Sequence, residues 1–176
     1  MNRTERSLPW APRPFQDEAL GSWFGRLAAA YGLDVDDFAA YAGLSIDFTS
    51  AGGNWLALPR LSSGDSERLR TLCRLPTKGL PVAYETDAPA RLGYCHHCLY
   101  LNPLDVTAPY WPAHWLLGMD GPRCSQHDQP YERTSPSVVR RHRNMRRLLG
   151  IVSRVRATRL KTLERQKWTL ARFVIR

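Results

Sequence analysis

Two short knuckles constrain this chain more than anything else in it. Cys95-x2-Cys98 is followed, after twenty-five residues, by Cys124-x2-His127. Two residues between ligands let a tight turn aim both side chains at one ion. Two such knuckles brought together make a tetrahedron of three thiolates and one imidazole, a donor set that suits Zn2+. The spacing predicts one structural zinc held by Cys95, Cys98, Cys124 and His127, and it obliges distant segments to meet. Four protein ligands leave no position for water or substrate, so the site reads as a scaffold and not as a reaction centre. Gly93 before the first knuckle and Gly121-Pro122 before the second supply the turning. Three other readings stay open on sequence alone. The thiols could pair as a disulfide, which a reducing compartment disfavours. They could be ordinary core thiols. His96, His97 or His114 could replace His127. Cys73 reads as a core thiol.

Around the knuckles the pattern is mainly α. An arm, 1–16, carries Pro9, Pro12 and Pro14, with Trp10 and Phe15 available to dock. Asp17 is a plausible cap for a helix bearing Leu20, Trp23, Phe24, Leu27, Ala28 and Tyr31 at spacings of three and four. Gly32 ends it. Asp34 then caps a second helix with Val35, Phe38, Ala39 and Ala42 on one face, closed by Gly43. Trp23, Phe24 and Phe38 should anchor this first core. Ala28 and Gly32 have the spacing of a helix-turn-helix. However, the second helix opens with Asp34, Asp36 and Asp37, and three carboxylates there would repel a duplex, which favours packing or protein contact. A third helix is expected from Ser62 or Ser63 to Leu75, with Leu69, Leu72 and Cys73 inward. Residues 76–92 read as loop. Segment 93–133 is loop-rich, with a short hairpin and with Trp111 and Trp115 packed about the metal module. Ser135-Pro136 starts a long helical tail with Met145, Leu148, Val152 and Val155 on one face and Leu160, Leu163, Leu170 and Val174 continuing a similar one. Gly150 is a candidate break. The division is an arm and helix-turn-helix-like module over 1–78, a zinc-knuckle module over 79–135 and a basic helical tail over 136–176.

The charge is uneven. The net is +9, yet residues 137–176 hold thirteen Lys/Arg and one acid, Glu164. The rest of the chain is mildly acidic. Arg140, Arg141, Arg143, Arg146 and Arg147 lie within eight residues, and Arg154, Arg156, Arg159 and Lys161 follow. Such density suggests contact with nucleic acid, and arginine's planar fork suits phosphate oxygens. About six phosphate contacts would give a log–log salt slope near −5. The competing readings are an amphipathic helix packed on the acidic body and a basic interfacial membrane helix.

Several classes are disfavoured. No apolar run approaches eighteen residues, so no transmembrane helix is expected. Charges and prolines stand where a secretory signal needs an apolar core, so a cytoplasmic protein is expected. There is no P-loop and no GxSxG motif. A zinc deaminase needs His-x-Glu and Pro-Cys-x-x-Cys, and neither is present. The adjacent His96 and His97 could be imagined in a nuclease, but histidines beside a metal knuckle are more often its outer support.

Four blocks together resemble a known family. Residues 17–28, from Asp17 through Ser22-Trp23-Phe24-Gly25-Arg26-Leu27-Ala28, are similar to the ESLSSWLxRLA opening of the TniQ family of transposon target-selection proteins, and Gly32-Leu33 also fits. Tyr94-Cys95-His96-His97-Cys98-Leu99 resembles the family's YCPxCL knuckle. Tyr110-Trp111 and Trp115 resemble its YWRxxW stretch, and Cys124-Ser125-Gln126-His127 resembles its CPKH. Order and rough spacing agree over about residues 8–133. The chain departs in having His96 and Ser125 where the family has proline, and no further CxxC pair after Cys124. The resemblance implies a non-catalytic adaptor linking a target, either a DNA site or a CRISPR effector bound to one, to an AAA+ regulator of the TnsC type. It also implies dimerisation through the N-terminal helical module in some members. A stand-alone zinc-finger DNA-binding regulator and a structural interaction subunit are the alternatives.

Overall fold

The structure, a computed structural model, describes residues 7–48, 54–85, 92–100, 109–117 and 123–174, with Leu117 and 165–174 as backbone only. It is mainly α. In chain order come α1 (Leu20–Ala30), α2 (Val35–Ala42), a 3-10 turn (Trp55–Ala57), α3 (Ser63–Cys73), β1 (Gly93–Tyr94), α4 (His96–Tyr100), α5 (His114–Leu117), β2 (Glu132–Arg133), α6 (Pro136–Arg141) and α7 (Met145–Val174). One buried cluster, from Leu8 to Val152, runs through all three segments of the sequence, so the modules share a core.

The helical hairpin forms for the reasons its sequence implies. The buried side chains of α1 include Trp23, Phe24 and Leu27, and Phe24 meets Phe38 of α2 edge-on with centroids 5.3 Å apart. Gly43 ends α2 at φ +63°, where other residues are strained. Ser62 caps α3, its side chain accepting from the Asp65 amide, and Leu69 and Cys73 are buried while Leu72 is only half-buried.

Asp17 does not cap α1. Asp17 lies in a turn, and the two residues after it are bridged on both sides, Glu18 to Pro112 and Ala19 to Val82. Helix α1 therefore begins at Leu20, and Asp17 accepts a hydrogen bond from the Tyr110 hydroxyl at 2.8 Å. The backbone of this short segment is the join between the first module and the second.

The 3-10 turn explains two glycines of α1. A Cβ on Gly21 would lie 2.1 Å from the Trp55 carbonyl oxygen, and one on Gly25 would lie 2.3 Å from the Trp55 ring. The buried Trp55 indole in turn donates to the carbonyls of Val139 and His142, at 2.9 and 3.2 Å. One tryptophan thus fastens α1 to the C-terminal segment.

The tail is two helices, but the break is not at Gly150. Helix α6 stops at Arg141 and α7 starts at Met145. Asn144, buried at the break, accepts from the Arg147 amide at 3.0 Å and donates to the Leu33 carbonyl at 3.0 Å. It caps α7 and moors it to the turn between α1 and α2. Gly150 passes inside α7, where the buried Leu148 and Val152 offset a helix penalty of about 1 kcal/mol.

Candidate metal centre

Both knuckles are built by local backbone geometry. Tyr94 ends β1, Cys95 follows, and α4 begins at His96, so its first turn carries Cys98 back towards Cys95; the Leu99 amide bonds the Cys95 carbonyl at 3.0 Å. The second knuckle is a tight loop. The Cys124 amide donates to the Gln129 carbonyl and the Asp128 amide to the Cys124 carbonyl, both at 2.8 Å, while Arg123 bridges to Pro130. Asp128 takes φ +47° and pairs with Arg123 at 2.6 Å. Gly121-Pro122 lies outside the described residues. Strands β1 and β2 pair antiparallel, Gly93 with Arg133 and Tyr94 with Glu132, which draws the chain before the first knuckle to the chain after the second.

The result is a compact cluster of donors. One ligand atom from each of Cys95, Cys98, Cys124 and His127 lies within 4.8 Å of the other three. The Cys98 sulfur is 3.6 Å from that of Cys124, and His127 Nδ1 is 3.3 Å from Cys98 Sγ and 3.7 Å from the sulfurs of Cys95 and Cys124. A zinc tetrahedron with ordinary Zn–S and Zn–N bonds has edges of about 3.5 to 3.8 Å, and these four separations fall within a few tenths of an ångström of that range, close enough for the cluster to hold one metal ion. The sulfur separation is far from a disulfide bond of about 2.05 Å, and all four cysteines are free thiols.

The electrostatics also call for a cation. Burial raises the Cys98 thiol, and the neighbouring sulfurs of Cys124 and Cys95 raise it further. Burial also pushes Cys124 up, but bonds from the His127 side chain and the backbone of His127 and Gln126 outweigh this and bring it to about 7. Crowded thiols resist joint ionisation until a dication sits among them. The residues present fit one metal ion.

None of His96, His97 and His114 is among the clustered donors. His96 lies against the Tyr100 ring, with centroids 4.8 Å apart, and His97 stacks on His127 at 5.4 Å. His114 is exposed on α5. Buried Trp111 and Trp115 pack edge to face at 5.6 Å, and Trp111 also meets Tyr94. A cleft of about 630 Å³ opens beside Cys98, Cys124 and His127, with Asp17, Tyr110 and Tyr131 on its walls.

Sequence reasoning missed a second polar centre. Glu18 is fully buried, and it accepts from Ser22 Oγ at 2.8 Å and from Arg26 through both carboxylate oxygens at 2.9 and 2.6 Å. Arg26 also donates to the Arg13 carbonyl, Trp23 to that of Pro12, and Ser22 Oγ accepts from the Trp111 amide. Ser22, Trp23 and Arg26 thereby tie the arm, α1 and the Tyr110-Trp111 segment together. The only sequence signal was an acid eight residues before an arginine, which spacing alone does not pair.

The predicted basic residues divide. Arg143 pairs with Asp36 and Arg147 with Asp34, and Arg156 donates to Glu132 at 2.6 Å. Arg140, Arg141, Arg146, Arg154, Arg159 and Lys161 are exposed, and none of them forms an ion pair among the described residues.

A helical hairpin joined through an extended segment to a Cys3His module defines a small α-helical protein with a candidate metal centre. The TniQ family model matches residues 9–130, most of the chain, and the chain belongs to the TniQ family. Membership implies a role in transposition target selection. No curated protein and no solved structure matches this chain.

Proposed function

We propose that this chain is a non-catalytic adaptor that links a target DNA or nucleoprotein complex to an AAA+ transposition regulator. The observation that carries the reading is the closed Cys3His cluster lying within the TniQ match. Four protein donors fill a tetrahedron, so one Zn2+ there holds segments together and activates no water. Cys95 and Cys98 would bind it from the α4 turn, and Cys124 and His127 from the loop before β2.

Nucleic acid would be met by the exposed basic residues, Arg140, Arg141 and Arg146 at the body and Arg154, Arg159 and Lys161 along α7. Arg143, Arg147 and Arg156 are engaged with Asp36, Asp34 and Glu132, which favours packing roles for these three. The pairs with Asp36 and Asp34 also neutralise part of the acidic start of α2, lowering the repulsion that its carboxylates would exert on a nearby duplex.

The test is co-purification with an AAA+ regulator encoded beside this chain, with and without duplex DNA, with zinc measured in the same sample. Retention together with one equivalent of zinc is expected. A folded, zinc-loaded chain that associates with the regulator in neither condition would overturn the adaptor reading.

A further inference from the structure

Of the three sulfurs in the Cys3His cluster, one is less covered than the others. Cys95 and Cys124 are buried, whereas Cys98 is only half-buried, on the wall of the cleft of about 630 Å³. The sulfurs are also supported unequally. The Cys124 sulfur takes bonds from the backbone of His127 and Gln126. No backbone amide among the described residues bonds the Cys98 sulfur. Its partners are the Cys124 sulfur, His127 Nδ1 and the Gln126 side chain, whose Oε1 lies 3.3 Å away.

The contact with Gln126 suits a thiol and not a metal ligand. As a thiol, Cys98 donates its S–H to the Gln126 oxygen. A sulfur bound to a metal ion carries no proton, so the same oxygen would face it lone pair to lone pair. A side-chain amide has a remedy within its own volume, because a half-turn about its last bond exchanges the oxygen for an NH2 group. Gln126 is exposed, and its side chain has no other partner among the described residues, so the turn sacrifices no bond.

We infer that Gln126 is the hydrogen-bond donor to Cys98 when the cluster holds its metal ion, its Nε2–H turned onto the thiolate that the cleft leaves open. Gln126 is a positioning residue and not a ligand. Three thiolates and a neutral imidazole around a dication leave one net negative charge, which the sulfurs carry. An N–H drawn onto a thiolate is a charge-assisted bond, and it lowers the readiness of that sulfur to take up a proton or an electrophile. Gln126 thereby supports two sulfurs, Cys124 through its backbone and Cys98 through its side chain. The inference rests on the reading of the cluster as a zinc site and adds what keeps its half-buried ligand in place.

The test uses the full chain as wild type and as Gln126→Ala, Gln126→Glu and Gln126→Lys. The side chain is exposed, so each variant should keep its fold, which circular dichroism of the zinc-loaded protein checks. Affinity for Zn2+ is measured by competition with a chromogenic chelator. Gln126→Ala should bind roughly tenfold more weakly, the usual loss when a group supporting a ligand is removed. Gln126→Glu should lose more, because its carboxylate would face a thiolate. Gln126→Lys should bind as tightly as the wild type, because an ammonium also donates. The second readout is the sulfur-to-metal charge-transfer band of the Co2+-substituted protein. It should move to longer wavelength in Gln126→Ala and return in Gln126→Lys, whereas a role confined to the shape of the loop would leave it unmoved. Undiminished affinity or an unmoved band in Gln126→Ala would overturn the proposal and leave the metal site standing. A wild type that takes up no Zn2+ would overturn both.

Discussion

Arg147 reaches Asp34 across 113 positions of sequence, its guanidinium 2.6 Å from the carboxylate. Two residues on, Asp36 takes Arg143 in the same way, and the Arg143 carbonyl accepts the Val35 amide at 2.8 Å. The start of α7 thus closes over the start of α2. In a helix-turn-helix protein this end of the second helix faces DNA; here it is occupied by the chain itself. The basic segment is therefore split between residues that pair with the body and residues left exposed.

That split changes which arginines report on nucleic acid. Replacing Arg140, Arg141 and Arg146 together by Gln should weaken binding to a duplex without sequence preference and reduce the salt slope by up to about three. The thermal transition should move little, since none of the three forms an ion pair among the described residues. Fluorescence anisotropy across a salt series checks this. Unchanged affinity would remove nucleic acid as the partner of this cluster.

Stripping the metal should be far more damaging. Structural zinc in small modules typically contributes on the order of 10 kcal/mol or more in apparent free energy. Chelation, or Cys124→Ser, is expected to abolish the packing of α4, β1 and β2, with loss of near-ultraviolet signal from Trp111 and Trp115. Elemental analysis should find one zinc per chain. A thermal transition that survives metal removal intact would contradict the scaffold role.

Arg26→Ala should rank among the most destabilising substitutions outside the knuckles. Burial raises the Glu18 carboxyl, while the bonds from Arg26, Ser22 and the Phe15 amide pull the other way. Removing the guanidinium leaves that carboxylate buried without its counter-charge and frees the Arg13 carbonyl. Breaking one side of a buried pair typically costs about 3 to 5 kcal/mol. Urea denaturation gives the number, and a loss below 1 kcal/mol would show that the pair is not formed.

Gly21→Ala tests the close approach of the 3-10 turn to α1. The added methyl would meet the Trp55 carbonyl oxygen, which is backbone and cannot swing away. Overpacking of this kind costs roughly 1 to 3 kcal/mol, even though alanine is the better helix former by about 1 kcal/mol. Gly150→Ala is the control. Nothing lies within 4 Å of its added carbon, so it should be stabilising.

An alkaline titration probes the contact between the metal module and α7. Burial pushes the Tyr100 phenol up to about 12, and Glu132 adds to this. The folded value exceeds the unfolded value of about 10. The protonated phenol is therefore favoured in the native state, and its contribution is complete below pH 10 and lost as pH rises through 12. Tyr100→Phe should lack this part of the alkaline decline. Parallel pH–stability curves for wild type and variant would refute it.

How much of this was written in the chain follows from how local each interaction is. The four clustered donors could be named because metal geometry imposes a short spacing that few other functions share. Helices α1, α2 and α3 could be outlined because apolar period and capping residues act within a few positions, as Ser62 does on Asp65. Asp17 was misjudged as a cap because its partners, Tyr110 and the strand-like contacts of Glu18 and Ala19, are far along the chain. The end of α6 was misplaced for a related reason: a glycine is visible, whereas Asn144 finding the Leu33 carbonyl is not.

The sequence by itself determined the donor set, the helical character and the excess of positive charge. Tertiary structure alone decided which arginines are engaged by Asp34, Asp36 and Glu132, and that a buried Glu18–Arg26 pair secures the arm. It also left residues 157–164 of α7 exposed. The physical reason is that propensity, capping and ligand spacing act over a few residues, while ion pairing, burial and exposure depend on which distant segments the folded backbone brings within a few ångströms.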